Sequence, residues 1–269
     1  MTACAPDWGG GSRFYLPNED TAVLRMALRA LPSRVRRPVF VGGSGMALLE
    51  GISVLPELEE AAYVDLASFQ LDYFQSLRDA VERSRSPKEL LEWFSALVFP
   101  ELHAYSARRG IALTLTQVQE ALGQRFGLDC FFKKTSLDAV QRLLPRISCT
   151  CSDIVSYLSG RDGRHGKDGR NGRHDFIYLS NVPDYLPPGA VGELATACAA
   201  HAAPVYMLVT TACADQALVS SRFSDAGFQE HPVSGALNER NRGLGSPALQ
   251  AAWNRHGRIH VYMPCMQPQ

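Results

Sequence analysis

The sequence of 269 residues has no excess of charge of either sign. Lysine and arginine together number 27, and so do aspartate and glutamate. A protein that grips duplex phosphates carries a marked positive excess, so this balance argues against a nucleic-acid partner. The sequence also lacks an apolar run long enough to cross a bilayer, and its first residues lack the basic and apolar regions of a secretory signal. We therefore expect a cytoplasmic protein without a membrane span.

Patterns that bind metals are scarce. None of the seven histidines forms an H-x-x-x-H pair on a predicted helix, and the seven cysteines are scattered, with only Cys149 and Cys151 close together. On a predicted strand, this C-x-C pair is expected to point its two side chains to opposite faces, which makes it a poor chelate by itself. We expect no metal, and we interpret the cysteines as buried, reduced thiols of an intracellular core.

Two phosphate-binding motifs are missing. The sequence has no G-K-[ST] triplet, which argues against a P-loop, and from Gly43 it reads G-S-G-M-A-L where a dinucleotide fingerprint would read G-x-G-x-x-G. A nucleoside without a pyrophosphate remains compatible with these residues.

The first part of the chain predicts a strand, a glycine turn, a helix and a second strand. Val39-Phe40-Val41 leads to the glycines, an apolar stretch with helical spacing opens at Ser44, and the second strand ends at Asp65. Asp65 follows the glycine pair by about twenty residues, near the spacing at which an acid accepts ribose hydroxyls in a βαβ crevice. This unit favours a nucleoside-binding α/β sheet.

The remainder predicts one helical insertion and further strands. From residue 68 to about residue 145, apolar residues recur at helical spacing, which is far longer than a βα connection requires. Five more strands are predicted in "RISCTCSDI", "FIYLSNVP", "PVYMLVTT", "FQEHPV" and "RIHVYMP", the last two separated by a polar excursion and forming a hairpin-like pair. The sequence thus predicts a mostly parallel sheet of seven strands.

Polar residues follow several of these strands at the edge where ligands of such sheets bind. Ser152 and Asp153 follow the third strand, where an acid and a backbone N–H are suited to an adenine amino group, and Ser180 and Asn181 follow the fourth. The predicted cofactor-binding residues are Gly42, Gly43, Ser44, Gly45, Asp65, Leu66, Ser152, Asp153, Ile154 and Ser180.

The order of the glycine loop, Asp65, Asp153, Asn181 and the "AGF" turn within "RFSDAGF" resembles the class I S-adenosylmethionine-dependent methyltransferase superfamily over most of the chain. The resemblance implies a Rossmann-like class I methyltransferase fold over residues 38–269, with the helical insertion at 68–145 and an N-terminal helical cap at 1–37. It also implies S-adenosylmethionine as cofactor or co-substrate and a small-molecule substrate.

A narrower resemblance lies in "FYLPNEDTAVLRMAL" and "FIYLSNVPDYL". These segments are similar to the "Y…WED" and "LSN-x-xDYL" segments of the 3-amino-3-carboxypropyl transferases of betaine-lipid synthesis, with Asn18 in place of the tryptophan. That resemblance implies transfer of the aminocarboxypropyl arm with release of methylthioadenosine. In the related azetidine-2-carboxylate synthases of natural-product biosynthesis, the cofactor's own amine attacks its γ-carbon, and the arm closes into a ring. The narrower resemblance also implies five catalytic residues, which are Tyr15, Glu19, Asp20, Asn181 and Tyr185.

Other interpretations stay open at this point. Methyl transfer with release of S-adenosylhomocysteine and cofactor binding without turnover both fit the same residues. Asp20, Asp65 and Asp153 are also suited to helix N-termini as caps or first-turn acids. "GGSGM" nearly matches the nucleophile elbow of serine hydrolases, with Ser44 as nucleophile and His231 or His260 as base. The glycine-rich stretch 160–172 is interpreted as a slack surface loop.

Overall fold

A computed structural model gives the structure of the chain. It describes residues 16–17, 20–108, 110, 112–161, 173–210, 215–242 and 257–265. Three residues of the N-terminal motif (Tyr15, Asn18 and Glu19) lie outside the described residues, as does most of the glycine-rich stretch.

The described residues form one seven-stranded sheet in the order β3-β2-β1-β4-β5-β7-β6. The strands are β1 (Pro38–Val41), β2 (Ala61–Asp65), β3 (Ile147–Cys151), β4 (Phe176–Tyr178), β5 (Val205–Thr210), β6 (Phe228–Glu230) and β7 (Gly257–Pro264). Neighbouring strands pair in parallel except that β7 runs antiparallel to both β5 and β6. This is the Rossmann-like class I methyltransferase fold, and the predicted fold class is confirmed.

Eleven α-helices surround the sheet within the described residues. They are α1 (Thr21–Ala30), α2 (Met46–Ile52), α3 (Ser68–Arg83), α4 (Pro87–Leu97), α5 (Phe99–Ala107), α6 (Leu115–Glu120), α7 (Lys134–Leu143), α8 (Ile154–Leu158), α9 (Pro188–Ala199), α10 (Gln216–Asp225) and α11 (Val233–Arg242). A π-helical turn covers Ala121–Arg125, and 3₁₀ turns cover Asp129–Phe131, Leu144–Arg146 and Val182–Tyr185. None of the described helices is both long and apolar enough to cross a membrane.

The sheet is buried on both faces, as expected for mostly parallel strands. Since side chains alternate along a strand, Phe40 and Tyr63 enter the core beneath α1–α4 and α11, whereas Val39 and Val64 enter the core beneath α8–α10. The insertion between β2 and β3 is helical, as predicted. Two of its helices begin at side-chain caps, because Ser86 caps α4 and Thr114 forms a capping box with Gln117 at α6.

Helix α11 occupies the first part of the stretch for which the sequence predicts a polar excursion, so that prediction is wrong as far as Arg242. The rest of the stretch, residues 243–256, lies outside the described residues. The helix has a weak apolar face, and polar side chains hold it to β7 instead. Asn238 donates from Nδ2 to the Ile259 carbonyl at 2.8 Å and accepts from the Ile259 amide at 2.8 Å, and the Ser234 hydroxyl accepts from the Val261 amide at 3.0 Å. A helix also separates β6 from β7, so they are antiparallel neighbours without being a hairpin.

A polar cluster buried between α1, α2 and the insertion is defined by Arg25, Glu50, Cys130 and Asp129. Glu50 is fully buried, pairs with Arg25 at 2.7 Å and accepts the Cys130 amide at 2.8 Å. Arg25 also lies 3.4 Å from the Asp129 carboxylate and donates to the Gly127 carbonyl at 2.7 Å. Burial raises the pKa of Glu50, and the Cys130 hydrogen bonds and Arg25 oppose that shift.

The cysteines are not uniformly buried. Cys130 and Cys198 lie in the core, and burial raises the pKa of both thiols, whereas Cys149, Cys151 and Cys265 are exposed. The prediction of buried thiols is therefore wrong for these three. Two of them lie on β3, which is an edge strand, so one long side of the strand has no neighbour among the described strands.

Candidate functional site

Four parallel strands end at one edge of the sheet. The carboxyl ends of β1, β2, β3 and β4 lie at the same edge, where they lead into Gly42, Leu66, Ser152 and Leu179 respectively. Because parallel strands end side by side at this edge, the residues that directly follow β1, β2, β3 and β4 lie near one another there. This edge is the candidate site.

Asp65 ties the ends of β1 and β2 together. Its Oδ2 accepts the Gly43 amide at 3.1 Å and its Oδ1 accepts the Ala67 amide at 2.8 Å. A Cβ atom at Gly42 would lie 1.7 Å from Oδ2, so only glycine fits beside this carboxylate. Burial raises the pKa of Asp65, and the backbone amides that donate to it oppose the rise. Ala67, not Asp65, occupies the N-cap position of α3.

Two further residues fix the glycine turn. The Gly43 carbonyl accepts hydrogen bonds from the Tyr63 hydroxyl at 2.9 Å and from Gln70 Nε2. The Tyr63 ring stacks on Phe74 with centroids 4.0 Å apart. The turn is therefore held from both sides, by Asp65 on its amide and by Tyr63 and Gln70 on its carbonyl.

Tyr63 and Gln70 are not among the site residues predicted from the sequence. Tyr63 lies two positions before Asp65, so both side chains project from the same face of β2. This alternation predicts that Tyr63, like Asp65, lies beside the glycine turn. Gln70 is one polar residue among several in a predicted helix, and nothing in its pattern distinguishes it.

The glycines of the turn are expected to differ in their tolerance of a side chain. Gly43 and Gly45 both have positive φ, 68° and 70°, but an added Cβ meets nothing within 4 Å at Gly43 and the Phe74 ring at 2.1 Å at Gly45. Gly43→Ala should cost about 1–2 kcal/mol of unfolding free energy from backbone strain alone. Gly45→Ala should cost about 1–3 kcal/mol more, because Phe74 must move. Urea unfolding of the two variants measures the difference, and equal losses would contradict this packing.

Beside Asp65 the edge offers an apolar surface. The Leu66 side chain is 74% exposed, one of few large apolar side chains so exposed among the described residues. Ser152 follows β3 next to it, and its amide donates to the Asp65 carbonyl at 3.0 Å. A carboxylate, an exposed leucine and a serine thus lie together at adjacent strand ends.

Asp153 and Ile154, also predicted to bind the cofactor, take part in α8. The Asp153 carboxylate caps this helix by accepting the Ser156 amide at 2.8 Å, so the capping interpretation is right for Asp153. Its side chain is exposed at the same edge. Ile154 is buried in the core beneath α8–α10.

The exit of β4 carries a strained backbone. Ser180 has φ of 49°, a left-handed conformation that a residue with a Cβ adopts at a cost. The Leu208 amide holds this position by donating to the Ser180 carbonyl at 2.8 Å. The chain then turns so that Asn181 Nδ2 donates to the Tyr185 hydroxyl at 3.0 Å. Asn181 is buried and Tyr185 half-buried, so the pair forms a fixed polar wall.

Asp20 serves as the N-cap of α1. Its Oδ1 accepts the Ala22 amide at 2.8 Å, its Oδ2 lies 3.7 Å from Arg240 Nε, and the residue is 2% exposed. The helix-capping interpretation therefore holds for Asp20. The two residues predicted to act with it, Tyr15 and Glu19, lie outside the described residues.

The hydrolase interpretation finds no catalytic pair at Ser44. The Ser44 side chain is buried, and its hydroxyl accepts the Met46 amide at 3.3 Å. His260 pairs with Glu230 at 3.0 Å on the opposite face of the sheet, since it lies beside Met207 in the core beneath α8–α10. His231 accepts the Val233 amide at the start of α11. In the described residues, neither histidine bonds to Ser44.

No protein-family model and no curated protein matches the sequence. Solved structures similar to the chain include the methyltransferase domain of bacterial CtHen1-C, at 10% identity over 92% of this chain and 98% of that one, with a TM-score of 0.46. Magnesium protoporphyrin IX methyltransferase from Synechocystis PCC 6803 with bound SAM has 10% identity over 91% and 76%, with a TM-score of 0.42. The StiE O-methyltransferase segment has 12% identity over 91% and 74%, with a TM-score of 0.46. The fold assignment rests on the strand order.

Proposed function

We propose that this protein is a transferase that binds S-adenosylmethionine at the edge formed by the glycine turn and Asp65 and alkylates a small molecule. The observation that carries the proposal is the Asp65 carboxylate, which is fixed by two backbone amides beside a turn where only glycine fits at residue 42. Such a carboxylate is suited to two neighbouring hydroxyls of a ribose.

The residues at this edge fit an adenosine group. An ionised carboxylate has about four acceptor positions. The amides of Gly43, Ala67 and Leu66 use part of this capacity on Asp65 and leave part of it for hydroxyl donors. The exposed Leu66 side chain supplies an apolar surface for one face of the base. Ser152 and Asp153 lie at the next strand end, where polar groups can meet the edge of the base. The open Cβ side of Gly43 allows a ligand to approach the backbone closely.

S-adenosylmethionine supplies an electrophilic carbon next to a sulfonium, with a neutral thioether as leaving group. The protein's contribution is then to bind, to orient and to exclude water, since alignment of nucleophile, carbon and sulfur dominates such a displacement. In this proposal Asn181 and Tyr185, which are joined by a 3.0 Å hydrogen bond, orient the acceptor at the exit of β4. An amine or hydroxyl acceptor must also lose a proton, for which a nearby basic group or water serves.

Methyl transfer is the first candidate reaction. The residues that distinguish arm transfer are the N-terminal ones, and the described member of that set, Asp20, caps α1 and is buried. Transfer of the aminocarboxypropyl arm, including intramolecular cyclisation, is the second candidate. It is favoured by the "LSNVPDYL" segment, whose Asn181 and Tyr185 meet at the candidate site. Binding without turnover is the remaining alternative.

The nucleoside product distinguishes these candidates. The purified protein is incubated with S-adenosylmethionine, alone and with a panel of small amines, phenols and carboxylic acids, and the nucleosides are identified by mass spectrometry. We expect S-adenosylhomocysteine that appears only with an acceptor. Methylthioadenosine, with or without an acceptor, would replace methyl transfer by arm transfer or cyclisation. Tight binding without either product would make the chain a binding protein, and absence of binding would contradict the proposal.

A further inference from the structure

The edge strand β3 presents two thiols on one face. Cys149 and Cys151 are separated by one residue, and alternate residues of a strand project from the same face. Both side chains are exposed. A rise of about 3.3 Å per residue places their Cα atoms about 6.6 Å apart. β3 lies at the end of the sheet, and no described strand pairs with its outer side.

Both thiols contact the segment after β2, so they share a face and the expectation that they point to opposite faces is wrong. The Cys149 sulfur lies 3.6 Å from Arg78 Nη1 in α3, and the Cys151 sulfur lies 3.6 Å from the Leu66 carbonyl oxygen just before that helix. In register, Cys149 is paired with Tyr63 and Cys151 with Asp65. The thiol pair therefore borders the candidate cofactor site without being part of it.

The guanidinium beside the pair is fixed in place. Arg78 donates to the Ile147 carbonyl at 3.4 Å and to the Leu144 carbonyl at 3.2 Å while it contacts Cys149. Burial raises the pKa of the Cys149 thiol, and Arg78 opposes that rise. A group that carries a single negative charge at this position would have its charge compensated by Arg78.

Two thiolates that bind one soft monovalent cation form a group with a single net negative charge. Soft thiolate ligands suit Cu(I), zinc and iron–sulfur clusters, and zinc and the clusters take four ligands. Metal–sulfur bonds of about 2.3 Å allow one ion to bridge two sulfurs up to about 4.6 Å apart, within reach of side chains whose Cα atoms lie about 6.6 Å apart. The described residues contain no group of three or more histidine, cysteine or acidic ligands, so a tetrahedral ion has no full ligand set here.

We propose that Cys149 and Cys151 form a two-thiolate site for a soft monovalent cation, with Cu(I) as the ion that fits. Binding deprotonates both thiols, forms two metal–sulfur bonds and releases two protons, and no electron is transferred. The complex carries one net negative charge beside Arg78. Because protons are released, affinity increases with pH. The site is independent of the proposed function.

The test is a competition titration with Cu(I) held by a coloured chelator, under argon. We expect the full chain to take one Cu(I) from the chelator in the high-affinity step. Cys149→Ser and Cys151→Ser should each weaken that step by at least about 100-fold, because a single thiol loses the chelate advantage. Arg78→Gln should weaken it by about tenfold, as removal of an outer-sphere partner does.

Cys265→Ser is the matched control, since it removes an exposed thiol elsewhere, and Cys4→Ser and Cys213→Ser complete the set. All three should keep the high-affinity step. The proposal is overturned if either β3 variant retains that step at full affinity, or if any control loses it. Thermal melting of each variant shows whether a loss of Cu(I) binding comes from unfolding. If a variant does unfold, the wild-type chain is treated with methyl methanethiosulfonate, and Cu(I) should protect the two β3 thiols from modification. Failure of Cu(I) to protect both Cys149 and Cys151 overturns the proposal as well.

Discussion

Arg25→Ala is expected to lower the free energy of unfolding by about 3–5 kcal/mol at neutral pH, because it leaves the Glu50 carboxylate buried without its charged partner. Glu50 is fully buried, and Arg25 lies 2.7 Å from it. The loss is measured by urea unfolding. Arg29→Ala, in the same helix but at an exposed position, is the matched control and should cost less than about 1 kcal/mol.

The same variant has a predictable pH dependence. Burial raises the folded-state pKa of Glu50 above its ordinary value of 4.5, and removal of Arg25 raises it further. When a group has a higher pKa in the folded state than in the unfolded state, its contribution to the free energy of unfolding is complete at a pH below the unfolded-state pKa. That contribution is lost as the pH rises through the folded-state pKa. The deficit of Arg25→Ala should therefore be smaller near pH 5 than near pH 8. A deficit that does not change with pH would mean that Glu50 is not the group left unpaired.

Asp65→Ala is expected to weaken the binding of S-adenosylhomocysteine by about 1–3 kcal/mol, roughly 5- to 150-fold in Kd, because ribose hydroxyls lose their charged acceptor. Calorimetric titration measures the change. Asp65 also holds the Gly43 amide at 3.1 Å, so the variant disturbs the turn as well as the ligand contact.

Gln70→Ala separates the two effects. It removes a donor to the Gly43 carbonyl and loosens the same turn while leaving the carboxylate in place. If Asp65 contacts the ligand, Gln70→Ala should weaken binding much less than Asp65→Ala. Equal losses would assign Asp65 to the turn alone, and an unchanged Kd in Asp65→Ala would remove it from the binding site.

The sequence predicts those parts of the fold that depend on local apolar patterns. Val39-Phe40-Val41 and the run that ends at Asp65 are buried on both sheet faces, so their apolar character is continuous and their strands are recognisable. Helix α11 is not recognisable in this way, because Ser234 and Asn238 hold it through bonds to the backbone of β7. Such partners are distant in sequence, and an apolar periodicity does not reveal them.

In the candidate site, too, some residues are predictable from local sequence patterns and others are not. Gly42 and Asp65 are predictable because a glycine turn after one strand and an acid after the next meet at the same sheet edge, and the structure brings them within contact. The role of Asp20 is not predictable in the same way, since an acid before a helix is suited both to capping and to a ligand. The structure shows that Asp20 caps α1. The domain division at residue 37 remains a prediction, as do the roles of Tyr15 and Glu19.

Hydrogen exchange measured by mass spectrometry, with and without S-adenosylhomocysteine, tests most directly where an adenosine group binds. The ligand should slow exchange in peptides that cover residues 42–45, 65–67 and 152–154, because the amides of these strand exits become covered or held. Peptides from the groove between α3 and α4, lined by Asp79, Arg83 and Trp93, serve as the internal control and should not change. Protection confined to that groove, or no protection in any peptide at a saturating ligand concentration, would contradict the assignment of this edge as the binding site.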